Sequence, residues 1–224
     1  MKIAVITSIF GNQGQRLHDP AVSFDSADYY AFVDREHDCT SWKQVQSVPF
    51  SLDDKYKGRR DAKVYKIIPH LFLPDYDYWI WVDPTHEPIV DPKVICDMLG
   101  DKDIGVFKHG ERQCAYEEAA EILRLNIDHP SLVKAQDTYY RAEGFPKGHG
   151  LYELPVSVRK NTPTIQSMNM KWWELICRYS SRDQISLPFV MWKMGITPHF
   201  FEGYANNGIN KNPYLPQVRW KGDL

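Results

Sequence analysis

The sequence predicts an α/β fold in which helices flank a mixed, mostly parallel sheet. Residues 78–82 (YWIWV) form an unbroken apolar run, which is typical of a strand buried on both faces of a sheet. Strand-like and helix-like segments alternate along the chain, the pattern of α/β domains. The 224 residues are 43% hydrophobic and 25% charged, enough for a substantial core. We therefore expect a single domain spanning residues 1–224.

Six segments have the composition of strands, with β-branched or aromatic residues between turn residues. They are residues 2–10, 28–34, 45–50, 77–83, 103–109 and 151–159. Because the last segment contains Pro155, we expect it to be an antiparallel or an edge strand.

Helices are predicted between these strands from apolar periodicity and from their start and stop residues. They cover residues 55–66 and onward toward 72, 91–99, 115–125, 131–143, 163–176 and the segment after Ser181. Asp91-Pro92 is a typical helix start. Ser181–Gln184 fits a capping box, and Pro188 should kink the following helix or delay its start. Residues 11–27 and 203–217 are predicted as loop and tail.

Composition excludes several classes of protein. A net charge of −2 and a pI near 6.4 argue against a partner held through nucleic-acid phosphates. The four cysteines lack the spacing of a metal site, which indicates reduced thiols in a cytoplasmic protein. No apolar run is long enough for a transmembrane segment.

Acidic residues close two of the predicted strands. Asp83 precedes Pro84, which ends the strand, and open α/β sheets bind ligands at the carboxyl ends of their strands. The alternative is that Asp83 only opens an Asp-Pro turn, and this run alone does not separate the two. Asp34 either lies with the Ile9–Phe10 region around a planar base or is a turn residue before Arg35.

A basic segment precedes the Asp83 strand. Residues 55–66 contain six lysines and arginines, of which Arg59, Lys63 and Lys66 share one helical face. Such a face is either a solvated surface or a binding site for a diphosphate, whose oxygens can accept paired hydrogen bonds from an arginine guanidinium.

These residues together suggest transfer from an anionic activated donor such as a nucleotide-sugar. A divalent cation, Mn²⁺ or Mg²⁺, held by Asp83 would stabilise the departing diphosphate. Asp183 is a candidate general base for the acceptor hydroxyl. The alternative for Asp183 is a helix-start acid, favoured by the helix dipole, which would lower its pKa.

Four blocks of the chain resemble a known family. They read IWVD, KHGERQCAYEEA, LYELPVSVRKNTP and WWELICRYSSRDQISLPFVMWK. The resemblance spans about residues 2–200 and is to the glycosyltransferase-like family of plant mucilage-biosynthesis proteins and microbial surface-glycan glycosyltransferases. It implies a GT-A fold, with a nucleotide-sugar-binding half at residues 1–110 and an acceptor-side half at 111–224.

The resemblance also implies site residues. Together with Phe10 and Asp34, the expected donor-binding residues are Arg59, Arg60, Lys63 and Asp83. The expected sugar or acceptor pocket consists of His109, Arg112, Glu117 and Arg182. Asp183 is expected to be the catalytic base or to hold the hydroxyls of the donor sugar. Asp83 stands where other GT-A enzymes have a D-x-D metal motif, but the second acid of that motif is absent here. The metal ligands are therefore expected to be Asp83 and His199, with His86 as another candidate.

The expected function is therefore a metal-assisted hexosyltransferase with a nucleotide-sugar donor, preferably a UDP-sugar, and a glycan or glycoconjugate acceptor. One alternative is a non-catalytic carbohydrate-binding protein that stacks sugars on Trp172, Trp173 and Trp192. Because the adjacent Trp172 and Trp173 point in different directions on a helix, they cannot form one stacking surface, which weakens the carbohydrate-binding alternative. The other alternative is a sugar nucleotidyltransferase, for which the glycines after the first strand form only a weak phosphate loop.

Overall fold

A computed structural model of the chain describes residues 1–11, 16–51, 56, 58–205 and 214. Within these residues seven strands form one sheet, in the order β3-β2-β1-β4-β6-β5-β7. The strands are β1 (Ile3–Ile9), β2 (Asp28–Val33), β3 (Lys43–Gln46), β4 (Tyr78–Val82), β5 (Ile104–Lys108), β6 (Tyr152–Lys160) and β7 (His199–Phe200).

Six α-helices and one 3-10 turn connect these strands in the described part of the chain. The helices are α1 (Arg59–Ile67), α2 (Pro92–Asp97), α3 (Ala115–Leu125), α4 (Pro130–Ala142), α5 (Pro163–Arg178) and α6 (Asp183–Met194). Helix α1 is followed by the 3-10 turn Pro69–Leu71. Asp91 caps α2 by accepting the backbone N–H of Lys93, and Thr162 caps α5 by accepting that of Ile165.

The sheet is mixed and mostly parallel, as predicted. Strands β1, β2, β3 and β4 run parallel, as do β5 and β7, and β6 is antiparallel to both of its neighbours. Helices cover both faces, because α1 and α3–α6 pack on one face and α2 on the other. This is an α/β architecture consistent with a GT-A-like domain. The boundary between the two predicted halves stays a prediction, since one sheet takes strands from both.

Strand β4 is buried on both faces, which confirms the interpretation of the YWIWV run. Trp79 and Trp81 point into the core on the side of α1, and Ile80 and Val82 point into the core on the side of α2. The alternation follows from the two-residue period of a strand. The carboxyl end of β4 therefore emerges from the centre of the sheet.

Strand β6 is an interior strand, so the edge interpretation of Pro155 is wrong and the antiparallel one is right. The pairing with β5 shifts register, from Val106 opposite Ser157 to Phe107 opposite Glu153. Pro155 lies in this irregularity, where no ladder hydrogen bond from its nitrogen is needed. Its carbonyl accepts the backbone N–H of Asp83 at 2.7 Å.

Three further predictions about elements need correction. The third strand is Lys43–Gln46 rather than residues 45–50. Helix α1 ends at Ile67, since Pro69 has no N–H to continue it. The capping box is absent, because the Ser181 hydroxyl donates to Asp128 and the N-cap position is Arg182.

Helix α6 starts at Asp183 and runs through Pro188, so the proline does not delay the start of the helix. Lys55, Lys57, Gly14 and most of the predicted tail lie outside the described residues.

No helix among the described residues has both the length and the apolar character needed to cross a membrane. Cys39, Cys96, Cys114 and Cys177 are all free thiols.

Candidate active site

A cavity of about 460 Å³ opens at the carboxyl ends of β1 and β4. This edge of the sheet is where open α/β folds bind ligands. Its wall among the described residues consists of Ser8, Phe10, Tyr56, Gly58, Arg59, Ala62, Lys63, Lys66, Trp81, Asp83, Pro84, Thr85 and Arg182. Four of these side chains are cationic and one is a carboxylate.

Gly58 allows α1 to begin against the end of β1. Its φ is +76°, and a Cβ at this position would lie 2.4 Å from the carbonyl carbon and oxygen of Phe10. A residue with a side chain would therefore clash with backbone and would be strained at this φ. The close approach turns one face of α1, with Arg59, Lys63 and Lys66, toward the cavity.

Asp183 lies between two lysines of α1. Its Oδ1 is 2.7 Å from Nζ of Lys63, and its Oδ2 is 2.6 Å from Nζ of Lys66. All three side chains are largely buried. Burial alone would raise the pKa of Asp183, but attraction to Lys63 and Lys66 outweighs it and holds the pKa far below its usual range. Asp183 is therefore a weak base.

For Lys63, the effect of burial on the pKa outweighs the attraction to Asp183. Burial lowers the pKa of Lys63 to about 8, an effect that the charge of Asp183 opposes and those of Lys66 and Arg182 reinforce. Lys63 thus titrates close to physiological pH.

Asp83 lines both the main cavity and a smaller one of about 210 Å³ that Asp183 also lines. Its Oδ1 accepts the indole N–H of Trp81 at 2.6 Å and lies 3.8 Å from Nζ of Lys66. Its backbone carbonyl accepts the N–H of His86 at 2.8 Å. The carboxylate is thus oriented by a buried tryptophan of its own strand.

The two adjacent arginines of α1 point to different places. The guanidinium of Arg59 lines the cavity, donates to the Ile127 carbonyl at 2.7 Å and lies 4.6 Å from the ring centre of Tyr56. Arg60 instead donates to the carbonyls of Ile176 and Tyr179 at the end of α5. Neighbouring positions on a helix face different directions. Arg59 therefore lines the cavity, and Arg60 is not among the described residues that do.

Phe10 and Asp34 lie at the ends of the first two strands. Phe10 lines the cavity, with its ring stacked on Tyr65 at 5.6 Å between centres. Asp34 accepts the N–H of Gly11 at 2.7 Å and donates its own N–H to Ile9. Asp34 is thus beside the chain that leaves β1 but is not part of the cavity wall formed by the described residues.

The predicted sugar or acceptor residues divide between two places. Arg182 lines the cavity. His109 and Arg112 form a separate cluster at the start of α3, where Nε of Arg112 donates to Glu118 at 2.6 Å and Nδ1 of His109 accepts the Arg112 N–H at 3.1 Å. Glu117 is exposed, whereas Glu118 is buried. Helical spacing from Ala115 through Ile122 would have placed Glu118 on the inward face.

His199 cannot ligate one metal ion together with Asp83. It pairs with Gly105, which is level with Val158 and, across the sheet, with Ile80 of β4. Three strand spacings, about 14 Å, therefore separate His199 from β4, and Asp83 lies further along that strand. The two nitrogens of His86 contact Thr85 Oγ1 and the Ala205 carbonyl.

The described residues do not form a set of ligands for a divalent cation. Among them no group of three or more His, Cys, Asp or Glu side chains is placed to hold a metal ion. Mn²⁺ and Mg²⁺ require several oxygen ligands, and the second acid near Asp83 is already bound by two lysines. The predicted metal stays a prediction without a fitting site in this part of the chain.

Two positioning residues were missed from the sequence. Asp128 is fully buried and accepts hydrogen bonds from both Ser180 and Ser181, which fixes the segment before Arg182 and Asp183. Arg159 is also buried and donates to the carbonyls of Lys66 and Ile67. No local pattern indicates either residue, because each acts across a large sequence separation.

Two comparisons relate this geometry to known proteins. The chain is 25% identical over 158 residues to a probable hexosyltransferase, MUCI70, of Arabidopsis thaliana. The match covers 65% of this chain and 26% of that protein, so the chain corresponds to only part of its relative. The profile of the TOD1/MUCI70 glycosyltransferase-like domain matches residues 1–210. The chain therefore belongs to the TOD1/MUCI70 glycosyltransferase-like domain family.

Proposed function

We propose that this chain is a hexosyltransferase that uses a nucleoside-diphosphate sugar, with a UDP-sugar as the first donor to test. The acceptor is a glycan or glycoconjugate. The observation that carries the proposal is the group of four cations around one cavity at the carboxyl edge of the sheet: Arg59, Lys63, Lys66 and Arg182. Membership of a glycosyltransferase-like family and the hexosyltransferase relative support the same reaction.

The charges around the cavity complement a diphosphate. Among the described residues the four cations face two carboxylates, Asp83 and Asp183, which leaves a net charge of about +2 for the two phosphates of a donor. Phe10 offers an apolar ring at the cavity wall for a nucleobase, and Asp34 fixes the chain at Gly11 next to it.

The transfer exchanges one bond at the sugar for another. The bond between the anomeric carbon and the β-phosphate oxygen breaks, and its electron pair stays on that oxygen. The acceptor oxygen bonds to the anomeric carbon, and its proton passes to the departing diphosphate and from there to water. A terminal phosphate titrates at about pH 6, so it is a far stronger base than Asp183. We therefore assign Asp183 the role of holding Lys63 and Lys66 in place of the predicted role of general base.

The carbohydrate-binding alternative is not favoured by the tryptophans. Trp172 is fully buried and donates to the Ser186 hydroxyl at 2.9 Å, so it offers no surface to a sugar. The nucleotidyltransferase alternative depends on the loop after β1, where residues 12–15 lie outside the described residues. A cytoplasmic location is part of our proposal and is supported by the four free thiols.

The proposal is tested by thermal unfolding with UDP, GDP and ADP, followed by a transfer assay with the sugar form of the nucleotide that binds. Saturation at a hundredfold excess over Kd should raise Tm by about 5–10 °C. Lys63→Met should abolish most of this shift, and Lys93→Met, on an exposed face, should retain it. A sugar found on the acceptor supports the transferase, release of pyrophosphate from a nucleoside triphosphate would favour the nucleotidyltransferase, and no shift with any nucleotide contradicts both.

A further inference from the structure

We infer that the ammonium groups of Lys63 and Lys66, fixed by Asp183, neutralise the diphosphate leaving group and take the place of a divalent cation in this site. The inference deepens the proposed function and rests on it. It assigns Lys66 a catalytic contact with the donor and Asp183 a positioning role. Neither role follows from the position of Asp83 at the end of β4.

The first step is the poor ligand set around Asp83. Asp83 is the one carboxylate on the main cavity wall formed by the described residues. Both oxygens of Asp183 are bound to lysines, and both ring nitrogens of His86 have protein partners. From the described residues, a cation bound here would have Asp83 as its carboxylate ligand, together with the donor's own phosphates.

The second step is that a fixed cation already lies beside Asp83. Nζ of Lys66 is 3.8 Å from Oδ1 of Asp83, and the Lys66 residue is 3% exposed. Nζ of Lys66 donates a hydrogen bond to the Leu154 carbonyl at 2.5 Å and forms an ion pair with Oδ2 of Asp183 at 2.6 Å. Lys66 also lines the cavity, where its ammonium charge attracts an anionic oxygen.

The third step concerns Asp183, which holds the ammonium groups of both lysines in one geometry. A buried ammonium without a partner would release its proton or turn away to water. With one carboxylate oxygen for each lysine, the two ammonium groups are held on the same side of the cavity. Because the two ammonium groups are already in place, they need little reorganisation when negative charge develops on the leaving oxygen.

The chemistry requires no further reactant. When the sugar–oxygen bond breaks, the electron pair stays on the β-phosphate oxygen, and the lysines donate hydrogen bonds to the phosphate without losing a proton. Charge-assisted hydrogen bonds of this kind are stronger than neutral ones.

The test is titration calorimetry of UDP, GDP, ADP and inorganic pyrophosphate in EDTA, compared with Mn²⁺ or Mg²⁺. We expect pyrophosphate and one nucleoside diphosphate to bind in EDTA with a Kd within about threefold of the value with metal. Lys66→Met should weaken both about ten- to a hundredfold, and added Mn²⁺ should not restore binding. Lys93→Met is the matched surface control.

The charge-balanced variant Lys66→Met with Asp183→Asn guards against a folding defect, because it removes one cation and its buried counter-ion together. We expect it to fold, by circular dichroism, and to bind pyrophosphate at least as weakly as the single variant, because Lys63 also loses its partner Asp183. Binding by this variant at the wild-type Kd would overturn the role of Lys66.

Asp183→Asn tests the positioning role through a pH profile. The charges that face Lys63 are those of Asp183 and Arg182 at the start of α6, Lys66 and Arg59 on α1, and Asp83 after β4. Loss of the Asp183 charge should move the upper pH limit of nucleotide binding downward, whereas a purely structural role would leave it in place.

Two failures are distinguishable. Wild-type binding that requires Mn²⁺ or Mg²⁺ overturns this inference and leaves the transferase proposal standing. Binding of pyrophosphate in EDTA without binding of any nucleoside diphosphate supports the lysine pair as an anion site and overturns the proposed function.

Discussion

Lys66 and Asp183 form a buried ion pair, with Nζ of the lysine 2.6 Å from Oδ2 of the aspartate. The pair joins helix α1, which follows the third strand, to the start of α6, the last helix of the described chain. Because Lys63 binds the other oxygen of the same carboxylate, one aspartate fixes two cations at the edge of a cavity. This relationship is the basis of the anion site that we propose.

Binding of nucleoside diphosphate should weaken as pH rises through about 8, the value to which burial lowers the pKa of Lys63. Above this pH the free protein loses the Lys63 charge, whereas bound phosphate favours the charged form. The Kd should therefore rise by up to about tenfold per pH unit. Calorimetry from pH 6.5 to 9.5 measures this directly, and a Kd that stays constant across that range would show that Lys63 does not contact the ligand.

Asp83→Asn should strengthen the binding of nucleoside diphosphate in EDTA by about three- to tenfold, because it removes a carboxylate from the wall of an anion site. The Asn carbonyl can still accept the indole N–H of Trp81, so the local geometry should be retained. A fluorescence or calorimetric titration gives the comparison. Weaker binding by this variant than by the wild type when Mn²⁺ is present would instead indicate that Asp83 acts through a cation.

Gly58→Ala should lower the free energy of unfolding by about 3 kcal/mol and impair nucleotide binding. The added Cβ would lie 2.4 Å from the Phe10 backbone, so α1 would have to move away from β1. Urea unfolding and calorimetry provide the two readouts.

Gly100→Ala is the matched control for Gly58→Ala. Its φ is +54°, but a Cβ there meets nothing within 4 Å. It should therefore cost about 1 kcal/mol and leave binding unchanged. If Gly58→Ala and Gly100→Ala weakened nucleotide binding equally, a displacement of α1 would not be the cause of the loss.

Asp128→Asn should lower the free energy of unfolding by about 2–3 kcal/mol at pH 7. Burial alone would raise the pKa of Asp128, but hydrogen bonds from Ser180, His129 and Ser181 and the charge of Arg59 lower it below the usual value. The stability that this charge contributes is thus present above the unfolded pKa near 3.9 and is lost as pH falls through the lower folded pKa.

Urea unfolding at pH 7 and at pH 3 tests this dependence, since the difference between the wild type and Asp128→Asn should shrink at the lower pH. Asp137→Asn is the control, because its partner Arg141 is an exposed neighbour on one helix and the pair should contribute only about 0.5 kcal/mol. A difference for Asp128→Asn that grows toward acid would contradict the assignment of a charged Asp128.

The sequence predicts the elements that local patterns determine. The burial of β4 follows from its apolar run, and the cationic face of α1 follows from the spacing of Arg59, Lys63 and Lys66. The placement of β6 does not follow, because a proline at a bulge inside a sheet has the same local pattern as a proline in an edge strand.

The candidate site is predictable only in part for the same reason. Asp83 and Asp183 were identified from strand and helix ends, but their partners depend on tertiary packing. The partners of Arg60 depend on where α5 ends, and the distance of His199 from Asp83 depends on strand order. Asp128 and Arg159 act between segments that only the folded chain brings together.

The most direct test of the account is a crystal structure of the protein with bound nucleoside diphosphate, grown in EDTA. We predict that the β-phosphate oxygens lie within hydrogen-bond distance of Nζ of Lys63 and Nζ of Lys66. A diphosphate bound away from both lysines, for example at the cluster of His109, Arg112 and Glu118, would contradict the account.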